Sequence, residues 1–147
     1  MLRDIDLFRD FAEAHLDQLA LVATPSTLKK GEVIYRDGDG GGRLHAVVSG
    51  VVEIGRTGKD GRFVRLTRLE KGEVFGALDG RTGGGSAVAA IVPETHLLSW
   101  DPAAFHEIMS EDAAFSLAFH RALVTRLTGR LQSASDAVFT LLQAMAR

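Results

Sequence analysis

The chain has 147 residues, 46% hydrophobic and 24% charged, with a formal net charge of −2 and no cysteine, so we expect one domain over residues 1–147 without disulfides or thiolate metal ligands. The slight acidity argues against direct contact with nucleic acid, because proteins that bind it use a basic surface to displace counterions. No apolar run reaches the roughly 18 residues of a membrane span, and the N-terminus lacks the pattern of a secretory leader, so the expected compartment is the cytoplasm.

Residues 1–25 predict N-terminal helices. Apolar residues lie close together between residues 5 and 11 and then recur at three- and four-residue spacings between residues 12 and 23, which indicates a short helix followed by a longer one. We expect the second helix to end at Thr24-Pro25, because proline disfavours helical geometry in the residue before it and has no amide hydrogen.

Residues 26–101 contain short runs typical of β-strands, separated by turn residues. The predicted strands are Glu32–Tyr35, Leu44–Val48, Val51–Arg56, Arg62–Leu69, Ser86–Val92 and Thr95–Trp100. Parallel strands need long crossover segments, which these spacings do not provide. The pattern therefore predicts an antiparallel β-roll of the double-stranded β-helix or jelly-roll type.

Residues 102–145 predict C-terminal helices. Asp101-Pro102 has the composition of a helix start, with aspartate as the cap and proline in the first turn. We expect a short helix that breaks near Ser110 and then a long helix. The predicted fold class is thus α+β, a β-roll flanked by N-terminal helices and a long C-terminal helix.

The long helix carries apolar residues at the alternating three- and four-residue spacing of a coiled coil. These residues are Val124, Leu127, Leu131, Ala134, Val138, Leu141 and Met145. A helix that packs on its own domain follows a 3.6-residue period, so this narrower repeat predicts a homodimer that pairs through the long helix. The alternative, that the helix packs on the protein's own roll, is the preferred interpretation for residues 103–123.

Several segments of the chain, taken in order, resemble the motifs of one known family. They are Leu7-Phe8 with Leu16-Asp17-Gln18-Leu19, Lys30-Gly31-Glu32-Val33-Ile34, Asp37-Gly38-Asp39, Leu44 to Val52, Leu69 to Gly76 and Ala87-Val88-Ala89-Ala90. The family is that of cyclic-nucleotide-binding domains, which includes the effector domain of catabolite activator protein. The resemblance covers residues 7–142 and implies a regulatory or sensory module.

The resemblance also implies a ligand site in the loop that begins at Gly76. In the family, a glutamate after this glycine contacts the ribose and an arginine further along pairs with the cyclic phosphate. The corresponding residues here are Ala77 and either Gly84 or Gly85. A hydrogen bond to a charged group contributes roughly 1.5 to 3 kcal/mol, and losing one partner of a buried charge pair costs roughly 2 to 5. We therefore expect a divergent pocket that does not bind cyclic AMP or cyclic GMP in the usual way.

Other residues are candidates for an altered site. Arg81 is a candidate anion contact, and the amides of Gly83 to Gly85 with the Ser86 hydroxyl are a candidate anion nest. The resemblance implies nucleobase contacts from the long helix, for which Thr125, Thr128 and Ser133 are candidates. The predicted ligand-binding set is Gly76, Ala77, Leu78, Arg81, Gly84, Gly85, Ser86, Ala87 and Thr128.

Two functional classes stay open. One is a sensor of a small nucleotide or anion, such as the effector half of a transcription regulator that lacks its DNA-binding domain. The other is a ligand-independent domain for dimerisation or for docking a protein partner. The roll also resembles cupin enzymes, but the five histidines form no His-x-His pair, so we expect no metal site. No nucleophile elbow or phosphate-binding loop motif occurs, so we expect neither an enzyme nor a cofactor.

Overall fold

The structure, a computed structural model, describes residues 2–36, 42–76 and 92–146, and the backbone of residues 86–89. Two 3₁₀ turns (Leu2–Asp4 and Asp6–Phe8) precede helix α1 (Glu13–Val22). The strands are β1 (Thr24–Lys29), β2 (Val33–Tyr35), β3 (Leu44–Ser49), β4 (Val52–Thr57), β5 (Phe63–Leu69), β6 (Val74–Gly76), β7 (Ser86–Ala89) and β8 (Glu94–Trp100). Helices α2 (Pro102–Glu111) and α3 (Ala113–Met145) complete the fold.

Within these residues the strands form two antiparallel sheets, ordered β1-β8-β3-β6 and β2-β7-β4-β5. A small core contains Val47, Phe75 and Leu97 from the first sheet together with Val52 and Leu69 from the second. Because both sheets contribute to it, this core lies between them. The predicted α+β fold, an antiparallel β-roll with N-terminal helices and a long C-terminal helix, is confirmed.

A larger core packs the helices against the outer face of the first sheet. Side chains alternate between the two faces of a strand, so Leu98 and Trp100 of β8 point to the helices while Leu97 points into the roll. Phe105 of α2 and Phe115 of α3 are fully buried in this larger core. These contacts hold α2 and the first turns of α3 on the roll.

The structure corrects two strand predictions. Thr24–Lys29 is a strand that the sequence analysis missed, so the roll begins at Thr24 and not at residue 26. Pro25 is tolerated because β1 lies at the edge of its sheet and pairs only with β8. Proline has no amide hydrogen to donate, but on the open side of an edge strand there is no partner strand to accept one. Val74–Gly76 was also missed, since three residues are too short to show a period.

The break between the C-terminal helices lies at Asp112, and the prediction of Ser110 was wrong. The Ser110 hydroxyl donates to the Glu107 carbonyl inside α2, whereas Asp112 leaves helical geometry and its carboxylate accepts from the amide of Phe115 at 3.1 Å. This amide holds the pKa of Asp112 below its usual value. The predicted cap at Asp101 is confirmed, because its carboxylate accepts from the amide of Ala103 at 2.9 Å.

Candidate functional site

A groove of about 1030 Å³ lies along one side of α3. Its walls are α3, strand β5 and the N-terminal segment, and its lining includes Leu7, Phe11, Leu66, Leu69, Ala118, Ala122, Gly129 and Ala137. The four residues that α3 contributes to this list are small, so the groove extends close to the helix axis. An opening of this size is within the range of small-molecule sites in proteins.

Three arginines of α3 line the groove: Arg121, Arg126 and Arg130. The Arg126 guanidinium donates to the Val74 carbonyl of β6 at 2.6 Å, which ties the middle of α3 to the roll. Burial lowers the pKa of Arg126, as does the neighbouring charge of Arg130, while Glu73 and Asp6 act in the opposite direction. Arg126 and Arg130 are thus electrostatic neighbours on one side of the helix.

Three aromatic rings pack against one another inside the roll and form what we call the aromatic cluster. Tyr35 of β2, His45 of β3 and Phe75 of β6 have their ring planes within 29° of one another and their centroids 4.9 to 6.3 Å apart. Burial raises the pKa of Tyr35, and the positive charge of Arg130 opposes that rise. Tyr35 therefore links this cluster electrostatically to Arg130 of α3.

His45 is a buried member of the aromatic cluster. Its Nδ1 lies 2.7 Å from the Ser99 hydroxyl of β8. Burial, and to a smaller extent the positive charge of Arg43, lowers the pKa of His45 from 6.5 to about 4. The sequence places His45 in a predicted strand between Leu44 and Ala46, and this position does not reveal which face of the strand the ring lies on.

We predict that acid destabilises the fold through His45. The pKa of His45 is about 4 in the folded state and 6.5 in the unfolded state. Between these pH values the His45 imidazole is therefore protonated only in the unfolded chain. The stability present above pH 6.5 is then lost as the pH falls towards 4, by up to about 3 kcal/mol. Urea unfolding at both ends of this range measures the loss.

Two variants control this pH experiment. His45→Gln, which keeps a polar contact for Ser99, should reduce the acid loss to that caused by the other groups. His96→Gln replaces a more exposed histidine and should leave the loss unchanged. Equal acid sensitivity of wild type and His45→Gln would contradict the assignment.

Gly76, the first residue of the predicted ligand loop, needs to be glycine. Its φ is +96°, which is unfavourable for other residues, and a Cβ there would collide with the Arg43 carbonyl oxygen and lie 3.2 Å from the His45 ring. The predicted loop residues Ala77, Leu78, Arg81, Gly84 and Gly85 lie outside the described residues. Their role in ligand binding stays a prediction.

The remaining predicted ligand residues lie on β7 and α3. The backbone of Ser86 and Ala87 pairs with Gly55 and Ile54 of β4. Thr128 lies off the groove, and its hydroxyl donates to the Val124 carbonyl of its own helix at 2.8 Å. The other two helix candidates, Thr125 and Ser133, line the groove, because an α-helix turns about 100° per residue and places them nearer to Arg126.

The predicted apolar repeat of α3 lies off the groove except at Ala134, which lines it. We call this set the α3 stripe: Val124, Leu127, Leu131, Ala134, Val138, Leu141 and Met145. Apart from the small Ala134, its members are 55% to 73% exposed. The beginning of α3, by contrast, packs on the roll through the buried Phe115 and Phe119, in agreement with the interpretation preferred for residues 103–123.

Residues 2–36, 42–76 and 92–146 contain no group of three or more histidine or acidic side chains that could hold a metal ion. Nor is any helix among them long and apolar enough to cross a membrane.

Comparison with known proteins gives consistent matches. A family model described as cyclic nucleotide-binding domain matches residues 25–112. A CRP-like cAMP-activated global transcriptional regulator of Mycobacterium tuberculosis is 27% identical over 135 residues, which cover 91% of this chain and 60% of the relative. The chain therefore spans about 60% of the length of the curated relatives it matches.

Solved structures are similar over most of the chain. The N-terminal domain of a transcriptional regulator from Streptomyces coelicolor has a TM-score of 0.75 and 26% identity, and the match covers 90% of this chain and 94% of that one. The catabolite activator protein of Thermus thermophilus also has a TM-score of 0.75, with 28% identity over 92% of this chain and 62% of that one. These matches confirm the resemblance found in the sequence.

Proposed function

This chain belongs to the cyclic nucleotide-binding domain family, and from that we propose that it is a non-catalytic regulatory domain that acts as a homodimer through α3. In this proposal the pocket is divergent, and the contacts that usually hold cyclic AMP or cyclic GMP are replaced. Ala77 and Gly84 or Gly85 at the expected glutamate and arginine positions support this part of the proposal.

The main support for this proposal is the solvent exposure of the α3 stripe. Large apolar side chains recur along more than half of α3 on the side that faces away from the roll. Burying a leucine or valine side chain stabilises an association by roughly 1.5 to 3 kcal/mol. Five leucine and valine residues on each of two helices would therefore supply enough apolar surface for a stable dimer, since a micromolar dissociation constant corresponds to about −8 kcal/mol.

The two faces of α3 suggest how such a dimer is regulated. One face contacts the roll through Phe115, Phe119 and Arg126, and the opposite face carries the stripe. A ligand in the groove would shift α3 relative to the roll and so change how the two helices pair. Coupling of this kind requires a ligand that has different affinities for the two arrangements.

Sedimentation equilibrium of the chain tests the proposal. We expect a mass of twice 15.8 kDa at micromolar concentrations. A monomer throughout the concentration range would overturn the dimer. Adding salt should change the measured mass little, because the contact between the two helices is apolar and not ionic.

A more specific form of the proposal is the sensor half of a transcription regulator. Two observations favour it: the curated relatives are transcriptional regulators that extend beyond the matched region, and an isolated N-terminal regulator domain matches over 94% of its length. In this form, the DNA-reading function belongs to a part outside these 147 residues.

A further inference from the structure

We propose that His120 makes the pairing of two α3 helices sensitive to pH, so that acid separates the chains. The inference rests on the proposed function, because it concerns the same contact between the helices. It adds a form of regulation that needs no bound ligand, since the controlling event is the protonation of one side chain in each copy.

His120 continues the repeat of the α3 stripe towards the beginning of the helix. It lies four residues before Val124 and three residues after Leu117, which is the spacing of successive contact positions in a coiled coil. Leu117 and Val124 are 53% and 63% exposed, and His120 between them is exposed as well. The roll of the same chain therefore leaves this face of α3 open. In a parallel pair, residues at such a position meet their own copies, so the two His120 side chains would face each other.

The ring of His120 is oriented by its own helix. Its Nδ1 lies 2.7 Å from the carbonyl oxygen of Ser116, and because a carbonyl oxygen can only accept, Nδ1 carries the hydrogen of this bond. The ring also meets Phe119 edge-on, with centroids 5.8 Å apart. In the neutral side chain the unprotonated nitrogen is then Nε2, and this is the atom that takes up a proton in acid.

The neighbouring part of α3 offers no negative charge to balance this proton. Between Asp112 and Asp136 the sequence contains three arginines and no acidic residue. In a parallel coiled coil, the contact position of His120 is flanked by residue 116 of one helix and residue 121 of the other. These are the neutral Ser116 and the positive Arg121, so the flanking charge adds to that of a protonated His120.

The element packed beside this part of α3 does not supply the missing charge either. Helix α2 contacts the beginning of α3 through Phe105, and its titratable side chains are His106, Glu107 and Glu111. In the described part of the chain neither glutamate forms an ion pair with His120. A proton on His120 therefore stays uncompensated on this face of the helix.

Protonation of His120 thus opposes the pairing of the helices. Histidine side chains change charge between about pH 5 and 8, and like charges placed together across an interface weaken it. In separate chains each ring is solvated and takes up its proton freely, whereas in the dimer two charged rings would meet in a contact that excludes water. The dimer is therefore strongest above this pH range and weakens as the pH falls through it.

Sedimentation equilibrium over a range of protein concentrations, at about pH 8 and about pH 5.5, tests the inference. We expect the dimer dissociation constant of the wild-type chain to rise about tenfold or more towards acid. His120→Gln is polar but does not titrate, and its constant should change less than about twofold. His120→Lys keeps a positive charge and should pair weakly at both pH values. His96→Gln, which replaces an exposed histidine of β8, should behave like the wild type.

Circular dichroism at both pH values checks that the samples are folded, because acid also lowers the stability of the fold through His45. The wild type and His120→Gln both keep His45. The difference between their dissociation constants therefore reports on His120 alone.

Each outcome decides the inference. A dissociation constant that rises in acid for the wild type and not for His120→Gln supports it. A constant that does not change in the wild type, or that rises equally in both chains, overturns it and leaves the proposed dimer intact. A single-chain mass of the wild type at the higher pH overturns the dimer and this inference with it, so the mass at that pH distinguishes the two failures.

Discussion

Replacing Leu127 and Leu131 with glutamate is expected to convert the proposed dimer into a monomer. Both side chains belong to the α3 stripe and are 55% and 73% exposed in the single chain. In a pair of parallel helices each would face its own copy, so the double variant would bring carboxylates together in a desolvated seam. The apolar contribution is lost and a charge burial penalty is added. Together these exceed the roughly 8 to 12 kcal/mol that hold micromolar to nanomolar dimers.

Sedimentation equilibrium measures the mass of this double variant, and circular dichroism reports on α3. We expect a single-chain mass and some loss of helix, because a helical segment with no packing partner is marginal in water. Gln132→Glu, also on the exposed part of α3 but outside the stripe, is the matched control and should keep the dimer mass. A double variant that still sediments as a dimer would refute pairing through the stripe.

Replacing Trp100 with alanine is expected to cost about 3 to 5 kcal/mol of unfolding free energy. The ring is fully buried and meets Phe8 edge-on with centroids 5.3 Å apart. Its indole N–H donates to the Leu19 carbonyl at 2.9 Å, so alanine would also leave a buried acceptor unpaired. Because domains of this size are stable by about 5 to 15 kcal/mol, the loss is a large part of the total.

Urea unfolding followed by circular dichroism measures this cost, since Trp100 is the chain's one tryptophan and its replacement removes that fluorescence signal. Trp100→Phe keeps an aromatic ring but loses the hydrogen bond, and it should cost clearly less than alanine. Equal losses for the two variants would mean that the hydrogen bond, and not the packing, dominates. A loss below about 1 kcal/mol for alanine would contradict the assigned role of Trp100 in the core.

Most of the architecture was predictable from local patterns. The change from helical to strand periodicity near residue 26, the turn residues and the cap at Asp101 each depend on a few neighbouring residues. The two failures have different causes. Strand β1 contains a proline that is harmless only because the strand lies at a sheet edge, and the break at Asp112 depends on its capping of α3.

The candidate site was less predictable from the sequence than the architecture was. The ligand contacts predicted from the sequence lie in the loop after Gly76 and on hydroxyl side chains of α3. Arg126, Arg130 and Tyr35 are not among them. Arginines four residues apart on a helix usually mark a solvated face. Only the packing of Phe115 and Phe119 on the roll sets the rotation of α3 that turns these arginines towards the groove.

By itself, the sequence determined the order of the elements and the position of the apolar stripe on α3. These properties depend on residue type and spacing along one segment. Only the tertiary structure decided that the stripe faces away from the roll, that His45 is buried beside Ser99 and that Arg130 acts on Tyr35. Each of these depends on segments far apart in the chain, whose relative position is set by side-chain packing in the two cores.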